Sequence, residues 1–290
     1  MAGRVTSMRR SVEAVRTTAL TRLEELRRRT VLADVPVRVF ERDQAAGGAL
    51  LAGALAFRVF LLLLPLALVV VAGLGFASST DATAPGTVAR DLGVTGLAAS
   101  SIRNAGHEAT GGRWVLLVIG LFFLALAARN GVRVLRIAHA FVWREPVERV
   151  RTKADDALGF LIATVALLSA ASLVAAVRHW SNAGGLVATL LMVAVYFGVW
   201  LALSARLPHR DAPVRALIPG AIVVAVGLEA LHVFTAYWLP TRVEHSSHLY
   251  GALGVAAALL VYLLIIGRLV LTGAGLNAVL WERSHPEPPT

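Results

Sequence analysis

Long apolar runs alternate with short, arginine-bearing connections along this chain. Six runs fall at about residues 49–77, 113–131, 157–178, 185–207, 214–239 and 249–280. A bilayer core of ~30 Å needs ~20 mostly apolar residues at ~1.5 Å rise each, so runs of this length predict transmembrane helices. The second and fourth reach spanning length by borrowing residues at their ends, through Arg129-Asn130 in one and past Ser204 and Arg206 towards Pro208 in the other. A water-soluble helical bundle would have to bury all six stretches at once. The pattern therefore predicts an all-α fold, an integral membrane bundle of six transmembrane helices spanning 49–281. A basic amphipathic segment (1–48) precedes it and a short tail (282–290) follows.

Two further stretches have helical periodicity without spanning length. From Met8 to about Phe40, Val12, Val15, Ala19, Leu23 and Leu26 recur at three- and four-residue steps between arginines, which predicts an amphipathic helix lying on the inner leaflet. After the second span, Val132, Leu135, Ile137, Ala138, Phe141 and Val142 alternate with Arg133, Arg136 and His139 and end at Trp143. That segment predicts a second interfacial helix, stopped by Pro146. The connection from Ser78 to Gly112 is too long for a plain turn, with a weak amphipathic pattern around Val88–Ile102.

Charge orients the bundle. Ten arginines precede Ala49, Arg90 and Arg103 alone occupy the next connection, and six basic residues from Arg133 to Lys153 crowd the one after. Arg178 is nearly alone before the fourth span, Arg206, Arg210 and Arg215 cluster before the fifth, and Arg242 alone precedes the sixth. This alternation follows the positive-inside rule and predicts a multi-pass protein with N and C termini in the cytoplasm. The net charge of +10 then belongs to one face, where the expected partners are membrane lipids with anionic headgroups. Nucleic acid is not expected, because no aromatic interleaves the basic stretch before Phe40. Self-association into a homo-oligomer stays open. The chain has no cysteine, which excludes disulfides and thiolate chemistry. Residues 1–48 lack the apolar core and cleavage site of a signal peptide, so the first span is expected to remain as an anchor.

Ionisable residues inside the spans are the candidate chemistry. A charged side chain at a helix centre costs about 2.5–3.5 kcal/mol on insertion scales and normally faces a partner or a wet cavity. Arg58 lies near the middle of the first span, Glu229 lies deep in the fifth with His232 one turn later, and Arg268 and Asn277 lie in the inner half of the sixth. One reading pairs Arg58 with Glu229 as a structural ion pair while Arg268 snorkels. Another places Arg58, Glu229 and His232 around a polar cavity that admits an anionic headgroup or ion. Pro65, Pro219, Gly220, Gly273 and Gly275 interrupt their helices as broken spans do, whereas Gly251 and Gly254 have the small-residue character of close helix packing.

Several of these residues also stand in recognisable motifs. Ala56-Phe57-Arg58-Val59-Phe60 followed by Pro65, the Leu135–Trp143 segment, Leu207-Pro208, Ile218-Pro219-Gly220, Tyr250-Gly251-Ala252-Leu253-Gly254 and Gly273-Ala274-Gly275-Leu276-Asn277 occur in this order on successive elements. Together, over roughly residues 39–283, they resemble the YihY/BrkB family of bacterial inner-membrane proteins. The resemblance implies a six-helix integral fold in the bacterial plasma (inner) membrane and involvement in envelope lipid transport. Virulence-factor and ribonuclease labels accompany the family. Where its first span usually has Tyr and Ser, this chain has Arg58 and Leu62.

A ribonuclease needs a metal cluster or an acid/base pair beside a phosphate. The chain has no such ligand set; His245, His248 and Glu244 share an outer connection, away from cytoplasmic RNA. No metal, cofactor or enzymatic activity is expected, with Asp155-Asp156 and the His245/His248 group as residual candidates for lipid chemistry. The expected function is a transporter or translocator of envelope lipid or another amphiphile through a polar intramembrane site. The alternative is a non-transporting scaffold or envelope-integrity factor that works through its basic helix.

Overall fold

The computed structural model describes residues 31–78, 113–149, 153, 155–166 and 184–285. Every long element among them is helical: α1 (Val31–Ala45), α2 (Gly48–Ser78), α3 (Arg113–Trp143), α4 (155–166), α5 (Gly184–Ser204) and α6 (Val214–Ser284). Among the described residues, four stretches are long and apolar enough to cross a membrane: Gly48–Gly73, Trp114–Trp143, Val214–Thr235 and Ala256–Ser284. Thr189–Ser204 is a shorter apolar helix. The helix expected before Val31, the pattern around 88–102, the far half of the third span, Gly251 and the Glu244/His245/His248 group lie outside the residues whose side chains are described.

α6 does not run straight. Gly220 and Asn277 would lie ~85 Å apart on a straight α-helix, yet the Gly220 amide donates to Asn277 Oδ1 at 2.7 Å. Gly227 likewise packs against Leu269. The helix therefore doubles back between Thr235 and Ala256, and its two arms lie antiparallel. α2 and α3 form a second antiparallel pair, with Val69 against Gly120 near one end and Arg58 and Asn130 sharing a groove farther along. The pairs meet where Gly267 of the second arm passes over Ala52 of α2; a Cβ at Gly267 would stand 2.9 Å from the Ala52 carbonyl oxygen.

Leu55 and Leu62 of α2, Leu124, Val132 and Leu135 of α3, Phe160 of α4, Trp200 of α5 and Val224 and Val270 of α6 share one buried cluster. The outward faces of α2 and α3 are no less apolar: Phe57, Leu64, Trp114, Val118, Phe122 and Phe123 are all more than half exposed. Water would not tolerate so continuous an apolar exterior on a stable monomer, whereas lipid chains provide its natural solvent.

One sequence expectation changes here. The segment from Val132 to Trp143 is no separate interfacial helix but the last turns of α3, with Val132, Leu135, Ala138, Val142 and Trp143 buried. Its apolar stripe finds α5 and α6 to pack against, and nothing before Arg144 breaks the backbone hydrogen bonding. The described part of the N-terminal segment, α1, packs on the bundle. α1 seats Val35 and Val39 on Val279 of α6, with Asp34 and Arg42 buried beside them, so this apolar face meets protein. The chain turns from α1 into α2 at Gly47, whose φ of 66° is left-handed, a conformation glycine adopts at no steric cost.

Candidate functional site

The five polar residues within the candidate spans occupy different surroundings. Asn277, 2% exposed, is a link between the arms of α6: its Oδ1 takes the Gly220 amide and its Nδ2 donates to the Leu217 carbonyl at 3.0 Å. Pro219 and Gly220 allow this approach. A Cβ on Gly220 would run into the Gly273 carbonyl oxygen, and Gly273 in turn leaves 2.9 Å between its own Cβ position and Gly220 O. Gly275 packs against Val39 of α1. Arg268 is bound to Asp43 at the end of α1, at 2.9 Å to Oδ2. Glu229 is buried on the first arm and His232 half-buried one turn on.

Arg58 stands apart from these. It lines a groove of about 460 Å³ between α2 and α3, bounded by Leu64, Pro65, Phe123, Leu126 and Asn130. Neither Glu229 nor His232 is in that lining. Among the described residues no hydrogen bond or ion pair engages the Arg58 guanidinium at all. The groove sets one guanidinium and the Asn130 amide in a mainly apolar trough, open on the face where Leu64, Phe123 and Leu126 are exposed.

A second site, not foreseen from sequence, is assembled at the end of the bundle where α1, α3, the 205–213 loop and α6 meet. Arg42, 6% exposed, bridges them: its Nη1 and Nη2 grip both carboxylate oxygens of Glu282 at 2.6 Å, and its Nε donates to the Val142 carbonyl. A bidentate guanidinium–carboxylate pair fixes direction as well as distance, so it holds α1 to α6 in one register. Asp34 receives Arg38 at 2.8 Å and Arg283 at 3.4 Å on the same oxygen.

The loops here carry unusual backbone. α3 ends with the Arg144 amide bonded to Phe141 O and the Glu145 amide to Ala140 O, a Schellman arrangement whose left-handed residue is Arg144, φ 55°. Glycine is the usual occupant of that position. In the 205–213 loop, Ala212 N–H closes a turn on His209 O with both central residues, Arg210 and Asp211, at positive φ (50° and 55°). Glu145 Oε1 accepts the Arg210 amide and ties the two corners together. Arg144 and Arg210 thereby come to line one cavity of about 370 Å³ with Glu282 and His285, and Arg144 also lines a neighbouring one of about 410 Å³ with Arg38, Arg42 and Arg283. The sequence signals that bear on this are slight: an arginine at a helix end two residues before a proline, and Arg-Asp between Pro208 and Pro213.

Asp156, one of the residual catalytic candidates, is engaged by Arg136 at 3.0 Å and takes the Lys153 amide at 2.8 Å, so it anchors the start of α4. Among the described residues no three His, Asp or Glu side chains gather as a metal site.

No curated protein and no solved structure matches the chain. A family model described as Virulence factor BrkB matches residues 39–290, which takes in every described helix from the last turns of α1 onward. With four candidate membrane helices in an all-α bundle and a match over most of its length, this chain is a membrane protein that belongs to the BrkB virulence factor family.

Proposed function

We propose that the protein crosses the bacterial inner membrane six times, with both termini on the arginine-rich cytoplasmic side, and moves a lipid or similar amphiphile between leaflets. The observation that carries this reading is Arg58, a guanidinium midway along a span, in a groove open towards lipid and with no protein partner among the described residues. Such a charge in hydrocarbon is unfavourable by about 2.5–3.5 kcal/mol on insertion scales, and an anionic or zwitterionic headgroup entering from the side would relieve it. The lining of leucine, phenylalanine and proline suits acyl chains trailing that headgroup into the bilayer. Envelope lipid is the substrate class these features favour.

The test is leaflet-to-leaflet movement of fluorescent anionic and zwitterionic lipids in liposomes holding the purified protein. Movement above empty liposomes is expected for the native chain, with a loss of tenfold or more in a well-inserted Arg58→Gln variant. Equal movement in native and Arg58→Gln protein sinks the Arg58 route. No movement for any lipid favours a scaffold acting through the basic end.

A further inference from the structure

We propose that the two adjoining arginine-lined cavities at the end of the bundle bind a phosphate ester, whether on a lipid headgroup or on a small soluble molecule. This does not depend on whether the protein moves lipid. Five arginines (Arg38, Arg42, Arg144, Arg210 and Arg283) line the cavities against two glutamates, Glu41 and Glu282. The carboxylates nearby are already occupied. Glu282 gives both oxygens to Arg42, and Arg210 shares Oε1 at 3.6 Å. Arg38 and Arg283 share one oxygen of Asp34. Arg144, which lines both cavities, makes no ion pair or hydrogen bond through its side chain among the described residues.

A guanidinium carries five N–H donors and no acceptor, so this group of arginines has more donors than the surrounding carboxylates can take up. A phosphate ester, with two or three anionic oxygens, matches that excess in charge and in fork geometry. The backbone supports the same conclusion independently. Arg144 and Arg210 both sit at left-handed φ, where a side chain is disfavoured, and both face onto the cavity beside Glu282. Strain of this kind persists where surrounding structure over-determines it and concentrates at ligand clamps. Arg38, Arg210 and Arg283 side chains are 55%, 36% and 41% exposed, which leaves their donors reachable, while buried Arg42 serves as the fixed floor.

The experiment measures binding to the full-length purified protein in detergent, by native mass spectrometry and by shift of the unfolding temperature. The probes are phosphatidic acid, diacylglycerol as its phosphate-free counterpart, inorganic phosphate and glycerol 3-phosphate. Arg144→Gln is compared with Arg215→Gln, an exposed charge near the start of α6 that lines neither cavity. Phosphatidic acid is expected to bind and diacylglycerol not. Arg144→Gln should weaken phosphate-ester binding about tenfold to a hundredfold, the range set by one charge-assisted contact, with little change in the unfolding temperature without ligand. Arg215→Gln should leave binding within about twofold. Binding of glycerol 3-phosphate as tight as that of phosphatidic acid identifies a soluble ester as the ligand, and binding of the lipid alone identifies a headgroup; both support the site. Equal weakening by the two variants reduces the effect to general surface charge and overturns it, as does equal binding of diacylglycerol and phosphatidic acid.

Discussion

Replacing Asn277 with alanine should separate the two arms of α6 energetically without touching either charged site. Asn277 makes two buried hydrogen bonds across the hairpin, accepting from the Gly220 amide and donating to Leu217 O. Side-chain hydrogen bonds between membrane helices contribute about 0.6–2 kcal/mol each. The truncation also leaves the buried Gly220 amide without its Asn277 acceptor, and an orphaned buried polar group costs about 1–3 kcal/mol. These terms overlap, so the expected loss is about 2–4 kcal/mol, a large share of a typical folding free energy. Asn277→Asp keeps an acceptor for Gly220 but sets a carboxyl oxygen against Leu217 O, so it should be at least as damaging. The assay is equilibrium unfolding in mixed micelles with increasing ionic detergent, followed by tryptophan fluorescence, with lipid movement measured per folded molecule. Unfolding of Asn277→Ala within 0.5 kcal/mol of the native chain would refute the link, as would undiminished stability of Asn277→Asp.

Three other substitutions have definite expected outcomes. Gly220→Ala should destabilise the hairpin by about 2 kcal/mol or more, because the added methyl meets the Gly273 carbonyl, which is backbone and cannot swing aside; a native-like unfolding curve would contradict that packing. Glu282→Gln should lower stability by about 1–3 kcal/mol in the same assay: Arg42 is left buried without its carboxylate, although partial exposure of Glu282 moderates the effect. Limited proteolysis of this variant should open the 31–47 segment first, and unchanged protection there counts against the Arg42–Glu282 pair holding α1 to α6. Arg144→Gly should raise stability by about 0.5–1 kcal/mol by relieving the positive φ, and a loss of stability instead would mean that the arginine side chain holds the corner.

Much of the architecture follows from solvent preference and so is legible along the chain. The limits of α2 and α5, and both arms of α6, fall close to the apolar runs at 49–77, 185–207, 214–239 and 249–280. The family motifs were legible too, since they are short local strings. The Val132–Trp143 segment was misplaced because its arginines and terminal tryptophan suit an interface as well as a helix end. Only the neighbouring α5 and α6 decide that its apolar stripe is buried.

The sites divide along the same line. Sequence determined which residues are costly in a membrane, because the penalty for Arg58, Glu229 or Asn277 depends on side-chain chemistry and depth alone. It did not determine their partners. Arg42 reaches across 100 residues to Val142 and across 240 to Glu282, and Asn277 reaches across 57 to Gly220. Arg144 and Arg210, 66 positions apart by number, line one cavity because a helix cap and a tight turn happen to meet there. Periodicity reports the environment each helix face requires, but which faces meet depends on helix crossings and chain reversals, set by packing of many residues at once. The tertiary structure alone therefore assigns Asn277 to packing and Arg58 to an open groove, and gathers scattered arginines into a candidate site.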